Sequence, residues 1–145
     1  LRSDAFKVMF NGDVTAAGSI TAVSFPTSSD RRLKENIKST KYGLDEVLKL
    51  EPVDYNFKSN GLEQIGFIAQ DVRSLIPEVV TGKEGDIQKG ETLGITYTSL
   101  IPVLTKAIQE QQAHISRLEQ MLLDSLKKQE AIQKELIEIR SSIKQ

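Results

Sequence analysis

The chain contains no cysteine and no tryptophan, and a single histidine in 145 residues. Without cysteine there are no disulfides and no thiolate metal sites. One histidine, His114, argues against a histidine-based catalytic triad or a zinc cluster. No apolar run approaches the roughly 20 residues a bilayer-spanning helix needs, and the start lacks the charged-then-apolar pattern of a signal peptide. Excess charge is missing too. Nineteen basic residues face twenty acidic ones, a net charge of −1, which argues against general electrostatic binding to nucleic acid. Neither a membrane nor a nucleic acid is expected as a partner. No phosphate loop, cofactor motif or metal-ligand spacing occurs, so no cofactor and no metal are expected.

What is present falls into three regions: 1–28, 29–97 and 98–145. Beginning at Leu1, the chain reads as a piece of a longer protein. In the first region "NGDVTA" (11–16) is followed by "AGSITA" (17–22), a six-residue repeat that matches Gly12 to Gly18 and Val14 to Ile20. Phe6, Val8 and Phe10 alternate ahead of it, as in a strand with one buried face. Short repeated strands with glycine at the corners suggest a β-solenoid or an intertwined β-helix; an ordinary β-hairpin is the alternative. Two copies bury too little to stand alone.

The second region mixes helix and strand signals. "YGLDEVLKL" places Leu44, Val47 and Leu48 at helical spacing, and Pro52 ends the pattern. "VDYNF" alternates as a strand, Asn60-Gly61 is a turn signal, and "QIGF" reads as the returning strand of a hairpin. "AQDVRSLI" reads as a short helix stopped by Pro77. "KEGDIQKGE" reads as a polar loop, mobile by composition. The stretch Lys83 to Thr92 is therefore a candidate contact arm or an ordinary surface loop. "LGITY" returns as a strand. The fold class is α+β.

The third region has no glycine, and its one proline, Pro102, falls in the first helical turn, where proline is tolerated. With Ile101 at heptad position a, ten of the thirteen a and d positions up to Ile143 are apolar. A 3.5-residue repeat held this long marks a coiled coil. Isoleucine at both a and d shifts preference from two strands toward three or four. Gln111, Ser125 and Gln129 interrupt the seam, either fixing the alignment or marking where helices splay. Fibrous β-helices built from three chains would deliver three such helices side by side. The expected assembly is a homotrimer: the end of a triple β-helix, a small α+β domain and a trimeric coil.

Between the first two regions lies "TSSDRRLKENI", Thr27 to Ile37. A serine becomes a nucleophile only when something takes its proton. His114 falls at a g position of the coil and reads as an ordinary solvated side chain. The remaining base is lysine, as in serine–lysine enzymes. A lysine titrates ordinarily near ~10.4, so it must be desolvated or crowded by cations to act near neutrality. Arg31 and Arg32 beside Lys34 are placed to crowd it. On an ideal α-helix Ser29 and Lys34 would project about 140° apart. They meet only through a turn, or across two chains. The plainer reading is that Ser29 or Asp30 caps a helix beginning at Arg31.

The order "SSDRRLKENI", "YGLDEVLKLEPVDYNF", "IGFIAQDV", "IPEVV", "GITYTSLIPVLTKAIQEQ" resembles the C-terminal intramolecular chaperone, or auto-processing, domain. That self-cleaving serine peptidase family closes phage endosialidases, tail spikes, tail fibres and neck appendage proteins. The resemblance covers Ser28 to about Gln112. It implies a homotrimer that helps its own upstream β-helical segment fold and then cuts itself off. It implies Ser29 as nucleophile and Lys34 as base, with Ser28–Ser29 as the scissile bond and Ser29–Asp30 as the alternative. The first is favoured because Ser29 Oγ reaches the preceding carbonyl through a five-membered ring. Asp30 and Asn36 match motif positions and could orient the junction; Gln70 matches as well and could donate to the oxyanion. The implied location is a fibre precursor in the host cytoplasm, with the chaperone released before or during virion assembly. Two other readings compete. One is a non-cleaving structural trimerisation tip. The other is a receptor-binding adhesin, which an aromatic content of 6% supports little.

Overall fold

The computed structural model describes residues 6–8, 14–16 and 19–143. The chain forms two compact units, residues 1–38 and 39–145.

In the first unit, β1 (Phe6–Val8) pairs with β2 (Val14–Ala16) in antiparallel fashion, Val8 opposite Val14 and Phe6 opposite Ala16. This is the hairpin pattern that the sequence left as the alternative to a solenoid. Phe10 and residues 11–13 and 17–18 of the repeat lie outside the described residues. From 19 to 30 the backbone takes no regular structure, and Ile20, Val23 and Phe25 stand exposed. A 3-10 turn follows at Arg31–Leu33.

The second unit opens with α1 (Leu44–Val47), shorter than the apolar spacing from Tyr42 to Leu50 predicts. A helix this short cannot satisfy its own ends, because the first four N–H groups of any helix lack internal acceptors. The β3 strand (Val53–Asn56) and β4 (Glu63–Gly66) form the expected hairpin, with Val53 opposite Gly66. Its turn depends on Gly61, whose φ of 71° lies in the left-handed region, and on Asn60, whose Oδ1 accepts from Leu62 N–H at 3.0 Å. Next come α2 (Ala69–Leu75), a 3-10 turn at Pro77–Val79, and β5 (Val80–Gly82). The β5 strand pairs with β6 (Leu93–Ile95). No alternation announces β5, because Val80 is its only large apolar residue; the partner strand creates it. The architecture is α+β, with strands in two-membered ribbons rather than one sheet.

Another 3-10 turn, Tyr97–Leu100, runs straight into α3 (Ile101–Ile143), 43 residues and about 64 Å long. The helix starts at Ile101, where the heptad pattern begins, three residues inside the 98–145 region. Its first turns present two apolar faces. One, with Val103 and Ala107, is buried together with Val72, Ile76, Val79 and Leu100. The other is the a/d seam, and it is open. Its ten apolar residues are exposed from 43% at Leu104 and Ile115 to 77% at Ile143. A stripe of that length in water is a surface made to be covered.

The core is small, and Val72 and Ile76 at 1% exposure are its centre. Truncating a fully buried isoleucine removes its transfer energy and leaves a cavity, together about 2–5 kcal/mol. Ile76→Ala is expected to lower unfolding free energy by that amount in urea titration. Ile132→Ala, on the open seam, is expected to leave the globular unit's transition unchanged.

Candidate functional site

The junction folds as one turn held by its own side chains. Asp30 is the N-cap: its backbone is extended (φ −61°, ψ 134°), and Oδ1 accepts from Arg32 N–H at 2.8 Å. Leu33 N–H donates to Asp30 O and Lys34 N–H to Arg31 O, both at 3.1 Å. The chain leaves extended at Lys34 (φ −126°, ψ 142°). The 3-10 turn thus separates two extended residues, Asp30 before it and Lys34 after it, and brings Lys34 back toward Ser29. Lys34 Nζ and Ser29 Oγ lie 2.7 Å apart, within hydrogen-bond reach. The two meet within one chain through a turn. The expected cap at Asp30 also forms, so the cap and the pairing coexist.

Arg32 does not crowd Lys34 in the way its position in sequence suggests. Its guanidinium forks onto Asp30, Nη2 to Oδ2 at 2.7 Å and Nε to Oδ1 and Oδ2 at 3.1 and 3.2 Å. The bonds from Arg32's side chain, and then from its backbone N–H, hold the Asp30 carboxyl below its ordinary value; Asp30 in turn raises Arg32. Arg31 remains as the adjacent cation. Two residues past Lys34, Asn36 takes a left-handed backbone (φ 51°), a conformation that asparagine tolerates better than most residues. Its motif position thus has a conformational reason. All of these residues are exposed to solvent in the single chain.

Gln70 belongs to the second unit, in the first turn of α2. Its Nε2 donates to Glu84 Oε1 at 3.0 Å, and Arg73 Nη2 donates to Glu84 Oε2 at 2.6 Å. Glu84 lies in the stretch read as a candidate contact arm or an ordinary surface loop, mobile by composition. That stretch is instead closed on itself. Asp86 N–H donates to Glu91 Oε2 at 2.9 Å, Lys83 pairs with Glu91 at 3.0 Å, and Gly90 turns the chain with φ 75°. Ile87 stands exposed on its 3-10 turn. The bridging role of Glu84 and the Asp30–Arg32 fork were missed in the sequence. The Asp-x-Arg spacing is the only local signal for the latter, and Glu84 has none. His114 is exposed on α3, as its g position predicts.

Residues 29–81 match the model of the family described as chaperone of endosialidase. They form a chaperone-of-endosialidase domain. The match begins at the serine of the Ser29–Lys34 pair and ends in β5, so this turn opens the domain. Three curated relatives are long tail fiber proteins Gp37. Those of Enterobacteria phages K3 and T2 are each 30% identical over 118 residues, 78% of this chain and 9% of theirs. That of phage M1 is 32% identical over 105 residues, 68% of this chain and 41% of the relative. The chain spans less than half the length of each.

The Asp30 cap gives a pH signature. Because the folded carboxyl titrates below its ordinary value of 3.8, the cap is complete above that value. It is lost as pH falls through the lower, folded pKa. The Arg32 amide resonance is expected to shift with that midpoint. In Arg32→Ala the midpoint moves up toward the ordinary aspartate value, and in Asp30→Asn the shift disappears.

Proposed function

We propose that this segment is an intramolecular chaperone of a phage fibre or appendage protein, acting as a homotrimer and releasing itself by autoproteolysis at Ser29. The observation that carries the reading is the 2.7 Å contact between Lys34 Nζ and Ser29 Oγ at the head of the chaperone domain. The family's designation as a peptidase and the fibre-protein names of the relatives support it. The open a/d seam supports association of copies through α3.

The chemistry follows from the pair. Neutral Lys34 takes the proton from Ser29 Oγ, and the oxygen attacks the Ser28 carbonyl carbon through a five-membered ring. The C–N bond breaks and the lysine returns its proton to the departing Ser29 nitrogen. The Ser28 acyl group is left as an ester on Oγ, which water hydrolyses to a carboxyl terminus at Ser28 and an amine at Ser29. A neutral amine is scarce on a solvated lysine. Burial of the junction by neighbouring chains, together with the Arg31 charge, would favour the neutral form. Assembly and cutting are coupled in that way. Asp30 and Asn36 set the turn.

The chaperone step addresses chain entropy. Interchain β pairing is slow because ordering precedes contact. Joining three chains at one end raises the effective concentration of their strands to the millimolar range. Cutting then removes the link, so an unfolded fibre chain no longer finds its partners and the fibre is kinetically trapped. The precursor would reside in the host cytoplasm, the chaperone leaving before or during virion assembly.

A longer chain carrying further upstream β-repeat is the test. Wild type is expected to yield two fragments, and Ser29→Ala or Lys34→Ala one band, a loss of cutting beyond a hundredfold. The C-terminal fragment is expected to begin at Ser29; a start at Asp30 assigns the alternative bond. Lysine substitutions on the seam at Leu118 and Leu122, which block association, are expected to slow cutting. An uncut wild type would instead assign a permanent structural tip. A monomer that cuts equally fast would overturn the coupling.

A further inference from the structure

The helix α1 is too short to exist on its own account. Four residues fall far below the length at which an isolated helix is stable in water. Its N-cap is Gly43, which has no side chain to offer. The acceptors come from elsewhere. Glu46 Oε2 accepts from Gly43 N–H at 2.9 Å, the local half of a capping arrangement. Leu44 N–H donates to Glu110 Oε2 at 2.8 Å, from a residue 66 positions away on α3. Lys106, one turn earlier on α3, holds the other oxygen, Oε1, at 2.9 Å. Gly43 leaves room for this contact. A Cβ there would fall on the Glu110 carboxylate. Beneath the polar contact, Val47 packs against the buried cluster that includes Val103, and Ala107 is buried on the same side of α3.

We infer that Glu110 is a tertiary cap that makes α1 conditional on α3: the Leu44–Val47 helix forms only while the long helix is docked with this carboxylate in place. The long helix is then more than an oligomerisation rod. Its docked state is read by the backbone of the segment that leads into the hairpin β3–β4. The reading does not depend on whether the chain cuts itself.

Charge is part of the device. The Glu110 carboxyl is held below its ordinary value, first by Leu44 N–H, then by Lys106, with His114 contributing through space. Asp45 and Glu46 are the acidic groups of α1 that share this end. A depressed folded pKa means the cap is fully present above the ordinary value of 4.5 and is lost as pH falls through the folded one.

The experiment is amide hydrogen exchange and NMR on the full 145-residue chain. Glu110→Ala is expected to reduce protection of Val47 and Leu48, whose N–H groups close α1, by at least tenfold, with β3 and β4 unaffected. If that variant does not fold, Glu110→Gln carries the test, since it keeps shape and removes charge. In wild type the Leu44 amide shift is expected to titrate with a midpoint below the ordinary glutamate range, and in Glu110→Gln that titration disappears. Gly43→Ala, which displaces the carboxylate, is expected to reproduce the loss of protection. Protection within twofold of wild type in folded Glu110→Ala, or a Leu44 titration that survives Glu110→Gln, would overturn the inference.

Discussion

The second unit depends on one small apolar contact: Val72 of α2 and Ile76 just past its end against Leu100 and Val103, on either side of the start of α3. The ribbons β3–β4 and β5–β6 are two-stranded, and such ribbons are marginal alone. They persist because each leads into this cluster. The β5 strand follows directly from Val79, and Ile95 packs on the cluster from β6. Gly66 ends β4 where a side chain would meet the Tyr97 hydroxyl. That hydroxyl accepts from Phe67 N–H at 3.1 Å while the Phe67 and Tyr97 rings stack at 6.1 Å. Packing here creates secondary structure that local propensity would not sustain.

The junction works by a different principle. Its order comes from short-range polar contacts within six residues, Ser29 to Lys34, and it buries nothing. Exposed ion pairs such as Asp30–Arg32 add little to stability. Their effect is positional: they fix the turn that returns Lys34 to Ser29. On the proposed reading, a pair that is geometrically ready but fully solvated is a sensible resting state. Geometry is supplied by one chain and desolvation by its neighbours.

Much of this was legible in the sequence, and what was not has physical causes. The hairpin at Asn60-Gly61, the helix at Ala69 and the long helix follow from local signals, whereas Ser29 and Lys34 were singled out by the family resemblance, with a turn and a cross-chain pairing both left open. Turn chemistry and periodicity act over few residues. The strand β5 was missed because pairing with β6 defines it. The shortness of α1 was missed because local apolar spacing does not record that an acceptor for its N-terminal end comes from Glu110, 66 residues from Leu44. Lys83–Thr92 looked mobile because its composition is polar; its order comes from Glu84 and Glu91 closing it by side-chain bonds. The role of Arg32 was misjudged for the reverse reason, since adjacency in sequence suggested repulsion while its side chain folds back onto Asp30.

The 3-10 turn Tyr97–Leu100 passes into α3 without an intervening loop. The long helix therefore has no joint of its own. Any rocking of its first two turns on the α2 cluster is transmitted whole, and over about 64 Å each degree displaces the far tip by roughly 1 Å. Repacking too slight to alter the globular unit would sweep the distal end across several ångströms, which makes α3 a mechanical pointer for the state of its base.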